Sequence, residues 1–139
     1  MFKEVKPQSG RFKRRGEWAE LLFMARAAEH GLRVIKPYGD SSRYDCIVES
    51  GGRFLRVQVK ATSCRRRQHY ACFLENTKQR RYTAEFIDFF AIYVIPVDRW
   101  YIIPVESVSA SGRAICISPH NSLTKNAVYD EAWHLLGGE

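Results

Sequence analysis

Three side chains of this protein, Asp45, Gln58 and Lys60, have types and spacing that could do chemistry on a phosphate. A carboxylate and an amide oxygen are hard ligands that suit Mg²⁺ or Mn²⁺, and so small a ligand set leaves room for water and a substrate phosphate. A cation held there could lower the pKa of a bound water and stabilise charge on the phosphorus oxygens. The compact ammonium of a lysine could position the attacking water or neutralise the transition state.

A β-hairpin is expected to hold these side chains together. Tyr44–Val48 and Arg53–Lys60 are rich in β-forming residues, and the Gly51-Gly52 pair between them is typical of a tight turn because glycine accepts positive φ angles. Side chains in a strand change face at every residue, so Gln58 and Lys60 project from the same face. The turn folds the aspartate of the first run back toward them.

Each of these side chains also has an ordinary structural explanation. An Asp beside a turn commonly caps it, a Gln on a strand commonly pairs with a neighbour, and a Lys at a strand end is commonly solvated. On the hairpin alone, the structural explanation remains the better one for each residue taken singly. The occurrence of all three residues on one hairpin reduces the advantage of the structural explanation over the functional one without removing it.

A further acid, Glu20, comes from an amphipathic helix that we predict from about Lys13 to His30. Apolar residues recur there at spacings of three and four, and Gly31 is well placed as the cap after the last turn. Glu20 stands at the margin of the apolar face, where a buried carboxylate is costly unless a cation or hydrogen bond compensates it. It is either a surface acid or, if the helix packs against the sheet that carries Asp45, another oxygen ligand.

The remaining elements follow from apolar patterns and turn residues. We predict a strand buried on both faces at Phe89–Ile95, and short strands at Leu32–Ile35, Tyr70–Leu74, Trp100–Ile103 and Arg113–Ile117. We also predict a helical turn at Thr83–Ile87 and a terminal helix at Ser122–Leu136. Helix packed on sheet is the natural way to bury these apolar faces, so the fold class is α/β or α+β. The basic residues 1–12 are expected to form an N-terminal arm and residues 13–139 a single domain.

Composition limits the partners. The chain has 139 residues with 45% hydrophobic residues, which excludes general disorder. Its 22 Lys and Arg against 15 Asp and Glu give a net charge of +7, which favours an anionic polymer or surface as partner. We find neither an apolar run of membrane-spanning length nor a signal-peptide pattern. The four cysteines form no C-x-x-C pair, which suggests reduced thiols in a cytoplasmic protein.

With Glu20 in GEWAELLF, Asp45 in YDCIV and the QVK that ends at Lys60, the stretch from about Gly16 to Thr62 resembles the PD-(D/E)XK nuclease superfamily. That superfamily shares a restriction-endonuclease-like core with a mixed sheet, built from a helix, a three-strand meander, a helix and a further strand. The order of elements predicted above is similar to the order in that core. The resemblance implies that Glu20, Asp45 and Gln58 bind Mg²⁺ or Mn²⁺. It also implies that Lys60 is the catalytic lysine.

Two positions depart from the superfamily pattern. Gln58 stands where an Asp or Glu is usual, and Tyr44 rather than Pro precedes Asp45. The Q-x-K form resembles small intron-encoded homing endonucleases, whereas FFAIYVI and WYIIP resemble the continuation in archaeal-type Holliday junction resolvases. Because Gln58 removes one negative charge, we predict weaker metal binding than in an acidic version of the site.

Basic clusters could bind nucleic acid beside the site. Lys13, Arg14 and Arg15 open the helix that carries Glu20, and Arg65, Arg66 and Arg67 closely follow the QVK segment. Arginine pairs bidentately with phosphate, and such contacts provide affinity rather than sequence reading. For a further cluster, 78–81, an ordinary solvated basic face is an equal alternative.

The resemblance implies a Mg²⁺-dependent DNA endonuclease of the homing, resolvase or restriction type. A chain this short offers little surface for a long recognition site, so we expect a homodimer or homotetramer, with Phe89–Ile95, Trp100–Ile103 and the terminal helix as candidate interface segments. One alternative is a non-catalytic nucleic-acid-binding module that retains the nuclease fold. Another is a protein whose basic surface serves a different acidic partner.

Overall fold

The computed structural model describes residues 9–39, 41–74, 84–108 and 112–139. Within these ranges one α-helix is followed by eight strands: α1 (Ser9–Glu29), β1 (Arg33–Ile35), β2 (Cys46–Ser50), β3 (Arg53–Thr62), β4 (Arg65–Arg66), β5 (His69–Phe73), β6 (Phe89–Val94), β7 (Arg99–Pro104) and β8 (Ala114–Ile117). Short 3-10 helices occupy Ile95–Val97, Val105–Ser107, Lys125–Tyr129 and Trp133–Leu136. The class is mixed α+β, as the sequence predicts. No described helix is long and apolar enough to cross a membrane.

The main sheet has five strands in the order β1-β2-β3-β6-β7. Strands β3 and β6 run parallel, and the other neighbours are antiparallel, so the sheet is mixed. The crossover from β3 to β6 contains β4 and β5, and its residues 75–83 lie outside the described part of the chain. Of the helical turn predicted at Thr83–Ile87, residues 84–86 form a turn and Ile87 is buried, while Thr83 is outside the description.

A second sheet of three strands, in the order β4-β5-β8, covers the face of the main sheet opposite α1. Two clusters of buried apolar side chains divide the core accordingly. In the first, Phe23 of α1 packs with Val57 and Val59 of β3. In the second, Phe90 of β6 packs with residues of β5 and β8, including Ile117. The chain therefore folds as helix, main sheet and small sheet in three layers.

Strand β6 is buried on both faces, as its continuous apolar run predicts. Ala91 and Tyr93 belong to the cluster beneath α1, whereas Phe90 and Ile92 belong to the cluster beneath the second sheet. This strand and the buried β7 therefore lie inside the fold. Their apolar side chains are not surface available to a second copy of the chain, contrary to the expectation that these segments form an interface.

The predicted hairpin is present. Gly51 and Gly52 have φ angles of 56° and 78°, and Ser50 and Arg53 on either side of them are register partners. Two successive positive φ angles are what a type I′ two-residue turn requires, and its twist matches that of the two strands. The local sequence thus sets the β2–β3 register and, with it, the alternation of side chains along β3.

Helix α1 begins at Ser9, earlier than the predicted start near Lys13, so residues 9–12 of the expected arm are helical. Its end agrees with the prediction. Gly31 has a φ of 76°, and the N–H of Leu32 donates to the carbonyl of Ala27 at 2.9 Å. This left-handed glycine cap turns the chain directly into β1.

The predicted terminal helix at Ser122–Leu136 is wrong. The segment instead forms two 3-10 helices separated by residues 130–132. Asp130 forms a β-bridge with Tyr101, and the N–H of Glu131, whose φ is 48°, donates to the carbonyl of Trp100 at 2.7 Å. Pairing with the edge of β7 interrupts the helix, and Leu123 is left 93% exposed although the periodic pattern placed it on the buried face.

Candidate functional site

Asp45 lies against β3 at the point where β2 begins. Strand β2 pairs with β3 from Cys46, opposite Val57, so β3 continues beyond the end of its neighbour. The N–H of Asp45 donates to the carbonyl of Val57 at 2.9 Å, and Asp45 Oδ2 accepts the N–H of Val59 at 2.7 Å. The carboxylate thus satisfies a strand amide that β2 does not reach, and its two contacts flank Gln58 along the strand.

The surroundings of Asp45 favour its protonated form. Burial raises the pKa of Asp45 from 3.8 to about 6. The hydrogen bond from Val59 opposes that shift, the charge of Glu20 adds to it, and the ammonium groups of Lys60 and Lys36 lower the pKa. Glu20 on the helix and Lys60 on the strand therefore both act electrostatically on Asp45, so the fold brings these three predicted site residues together.

Glu20 reaches this point because α1 packs on β3 through Ala19 and Phe23, which are its neighbours on the helix. Its Oε1 accepts a hydrogen bond from Lys36 Nζ at 2.6 Å, which is also an ion pair. The Glu20 side chain is 25% exposed. The carboxylate at the margin of the apolar face is thus compensated by a cation, which the cost of burying a lone charge requires.

Sequence reasoning missed Lys36. It follows β1 directly, in a segment whose Pro, Gly, Asp and Ser residues are typical of a loop. The pairing of Ile35 with Ile47 brings the end of β1 to the start of β2, beside Asp45. The only sequence signal is a lysine at the end of a strand that precedes the hairpin, and that signal is weak without the sheet order.

Gln58 and Lys60 project from the same face of β3, as predicted. Their register partners on β6 are Phe90 and Ile92, which belong to the core cluster beneath the second sheet. Both are partly exposed. Within the described residues the Gln58 amide makes no hydrogen bond, so the pairing with a neighbour that would explain it structurally is not seen there.

A cleft of about 370 Å³ opens beside Lys60. Arg15 from α1 and Ser63, Cys64 and Phe73 from the chain after β3 are among its lining residues. Arg15 Nη2 donates to Ser63 Oγ at 3.3 Å, which ties the start of the helix to the end of β3. One of the predicted nucleic-acid-binding residues therefore shares a cleft with the predicted catalytic lysine.

The other predicted basic residues lie on the surface. Lys13 and Arg14 are exposed on α1. Arg65, Arg66 and Arg67 are exposed on the β4–β5 hairpin, where Arg66 lies over the ring of Phe73 with 5.8 Å to its centroid. The cluster 78–81 lies outside the described residues.

The chemistry of the donors fits a hard divalent cation. Glu20 and Asp45 are carboxylates that oppose each other's charge, and the flanking Gln58 carries a neutral amide oxygen. A cation between the carboxylates would relieve that repulsion, and oxygen ligands of this kind suit Mg²⁺ or Mn²⁺. The described residues hold no group of three or more His, Cys, Asp or Glu side chains that could bind a metal.

Two solved structures resemble this fold over nearly the whole chain. A bacterial homing endonuclease, I-Ssp6803I, superposes with a TM-score of 0.74 at 27% identity and covers 89% of each chain. Hjc, a Holliday junction resolvase from Archaeoglobus fulgidus, superposes with a TM-score of 0.60 at 16% identity, covering 88% of this chain and 96% of its own. No curated protein sequence matches significantly.

The family model described as PD-(D/E)XK endonuclease matches residues 11–136. This range includes α1 from residue 11 onward, the hairpin, β6 and β7, and it contains Glu20, Asp45, Gln58 and Lys60. The mixed sheet and the order of its elements agree with the two structural neighbours. The chain belongs to the PD-(D/E)XK endonuclease family.

Proposed function

We propose that this protein is a metal-dependent DNA endonuclease that hydrolyses phosphodiester bonds, with residues 13–139 acting as one nuclease domain. One observation carries the proposal: Asp45 is held against β3 between Val57 and Val59, where both Glu20 and Lys60 act on its charge. A carboxylate pair and an ammonium at one end of a sheet are the groups that water-mediated phosphoryl chemistry needs.

In this proposal Glu20, Asp45 and the Gln58 amide oxygen are the ligands of Mg²⁺ or Mn²⁺. The cation, when bound, supplies positive charge that lowers the pKa of water and stabilises the phosphorane-like transition state. Because Asp45 accepts the Val59 N–H, its carboxylate is kept in one orientation while it serves as ligand. Gln58 contributes an oxygen without charge.

Lys60 is the residue that we propose handles the nucleophile and the phosphate. Lys60 lines the cleft and its charge acts on Asp45, so its ammonium can hold an attacking water and a phosphate oxygen together. Water adds to phosphorus, one P–O bond of the diester breaks, and the products are a phosphate monoester and a free hydroxyl. The positive charge of Lys60 offsets the negative charge that grows on phosphorus oxygens in this step.

DNA is the proposed polymer because basic side chains lie on α1 and on the β4–β5 hairpin, two elements that contribute residues to the cleft. Arg15 lines it, Lys13 and Arg14 lie exposed on α1, and the β4–β5 hairpin carries the exposed Arg65–Arg67. Guanidinium and ammonium groups contact phosphates and provide affinity for any sequence. We also propose a homodimer or homotetramer, because two symmetry-related sites would cut both strands. The free thiols of the chain support a cytoplasmic setting.

The test is cleavage of supercoiled, linear and four-way-junction DNA with Mg²⁺ or Mn²⁺. We expect the wild type to cut at least one of these substrates, and Lys60→Ala and Asp45→Ala to lose at least about 100-fold in rate. Binding of uncut DNA in Ca²⁺ should remain within a few-fold of wild type for Lys60→Ala. The substrate that is cut distinguishes a homing-type or restriction-like enzyme from a junction resolvase.

Gln58 favours a second candidate function, a nucleic-acid-binding module that has kept the nuclease fold without catalysis. A neutral residue at the third ligand position lowers the charge that attracts a divalent cation. This candidate predicts salt-sensitive DNA binding by the wild type and both variants, and cleavage by none of them. The same experiment therefore decides between the two.

A further inference from the structure

Lys36 is a cation placed at the two carboxylates of the proposed metal site. Its Nζ lies 2.6 Å from Glu20 Oε1, and its charge also acts on Asp45. The strand pairing explains the placement. Because Ile35 of β1 is opposite Ile47 of β2, continuing the register sets Lys36 opposite Cys46, the residue that follows Asp45.

The contact is both an ion pair and a hydrogen bond, between a half-exposed ammonium and a carboxylate that is 25% exposed. A lysine ammonium is a cation at neutral pH, so Lys36 carries its charge in the metal-free protein. Removing it would leave two carboxylates opposed at a partly buried position.

Lys36 is also able to leave. Its side chain is 47% exposed and stands in the segment that follows an edge strand, so its flexible stem can turn toward solvent without opening a cavity in the core. A divalent cation bound between Glu20 and Asp45 carries the same sign of charge as Lys36 and uses the same Glu20 carboxylate. Because the two positive charges repel each other, each interacts less favourably with that carboxylate when the other is present.

We propose that Lys36 is a positioning residue that holds the Glu20 carboxylate in the metal-free site and competes with the divalent cation for it. The inference rests on the proposed function, because it takes Glu20 and Asp45 as metal ligands. Its consequence is that the protein binds metal more weakly than its ligands alone would allow. Gln58 weakens the site by a missing negative charge, and Lys36 weakens it further by an added positive one.

The test is Mn²⁺ binding, followed through the electron paramagnetic resonance signal of free Mn²⁺, in the absence of DNA. Lys36→Met and Lys36→Gln should bind Mn²⁺ about threefold to tenfold more tightly than the wild type, whereas Lys36→Arg should remain close to it. Arg33→Met is the matched control. It removes the same unit of charge from β1, but Arg33 pairs with Glu49 rather than with the site.

Thermal unfolding without metal shows whether each variant is folded, and the rise of the unfolding temperature with Mn²⁺ is a second readout that should follow the same order. Equal or weaker Mn²⁺ binding by both neutral variants would overturn the inference and leave Lys36 as a support for Glu20 only. So would an equal gain in Arg33→Met, since the effect would then come from net charge. If neither the wild type nor the Lys36 variants bind Mn²⁺, the metal site itself fails, and the inference fails with it.

Discussion

The carboxylate of Asp45 accepts the backbone N–H of Val59 at 2.7 Å, one residue before Lys60 on the same strand. Asp45 precedes β2, so its side chain accepts a hydrogen bond from β3 at a position where the backbone of β2 offers no partner. The residue proposed to bind metal is thereby fixed relative to the residue proposed to act on the phosphate. Geometry at the site depends on one strand end and not on a flexible loop.

Asp45 should make stability depend on pH in the metal-free protein. Its folded pKa of about 6 lies above its ordinary value of 3.8, so the folded state holds the proton more strongly than the unfolded state. The free energy of unfolding should therefore be greatest below about pH 4 as far as this group is concerned, and should fall as the pH rises toward about 6.

Asp45→Asn should remove that contribution, because the amide oxygen can still accept the Val59 N–H and carries no charge. We expect the variant to gain on the order of 2–3 kcal/mol relative to wild type as the pH rises from 4 to 7. Urea denaturation with a chelator present, at several pH values, measures the difference. A constant difference between the two proteins across this range would show that Asp45 titrates in the folded protein as it does in the unfolded chain.

Gln58→Glu should leave Mg²⁺ affinity unchanged or increase it, because a carboxylate replaces a neutral oxygen at the proposed ligand position. Calorimetric titration of Mg²⁺ into the wild type and the variant measures the change. Phe54→Glu is a control, since Phe54 is 61% exposed on the same strand and is register partner to Glu49, away from the site. A large loss of affinity in Gln58→Glu would count against ligation at this position.

The β4–β5 hairpin should bind phosphates rather than read sequence. Replacing Arg65, Arg66 and Arg67 by alanine should weaken DNA binding to a similar degree for unrelated sequences. It should also reduce the slope of log affinity against log salt by about 0.9 for each phosphate that the variant no longer neutralises. Fluorescence anisotropy across a salt series measures both, with Arg113→Ala, an exposed arginine next to β8, as the control. An unchanged slope of log affinity against log salt would show that the β4–β5 hairpin does not contact the DNA phosphates.

Gly137 should be intolerant of a side chain. Its φ is 88°, and a Cβ there would stand 1.8 Å from Ser50 Oγ and 2.8 Å from Ser50 Cβ, so the C-terminal segment would have to move away from the hairpin. Gly51 has a φ of 56°, and a Cβ added to it would stand in open space, so Gly51→Ala measures the backbone strain without any steric clash.

We expect Gly51→Ala to cost about 1 kcal/mol and Gly137→Ala about 3 kcal/mol or more. Ser50→Gly in the Gly137→Ala background removes both crowded atoms and should recover part of the loss. Denaturant unfolding of the four proteins measures these values. Equal losses of stability in the two single glycine variants would show that the C-terminal segment moves away from Ser50 at no measurable cost.

Local sequence alone determined the hairpin and the buried strand. Consecutive glycines at 51 and 52 admit only a few turns, and alternation along β3 follows from the strand period, so the shared face of Gln58 and Lys60 needed no tertiary information. The continuous apolar run of β6 required cover on both faces, which the two core clusters supply.

Only the tertiary structure decided how the site is completed and how the chain ends. Lys36 meets Glu20 because β1 pairs with β2, a contact between strands that no periodicity encodes. The terminal segment has helical spacing of apolar residues, yet Asp130 and Glu131 pair with β7 and interrupt it, since edge hydrogen bonds outweigh a weak local preference. Spacing along a chain records which residues can share a face, while sheet order decides which charges meet.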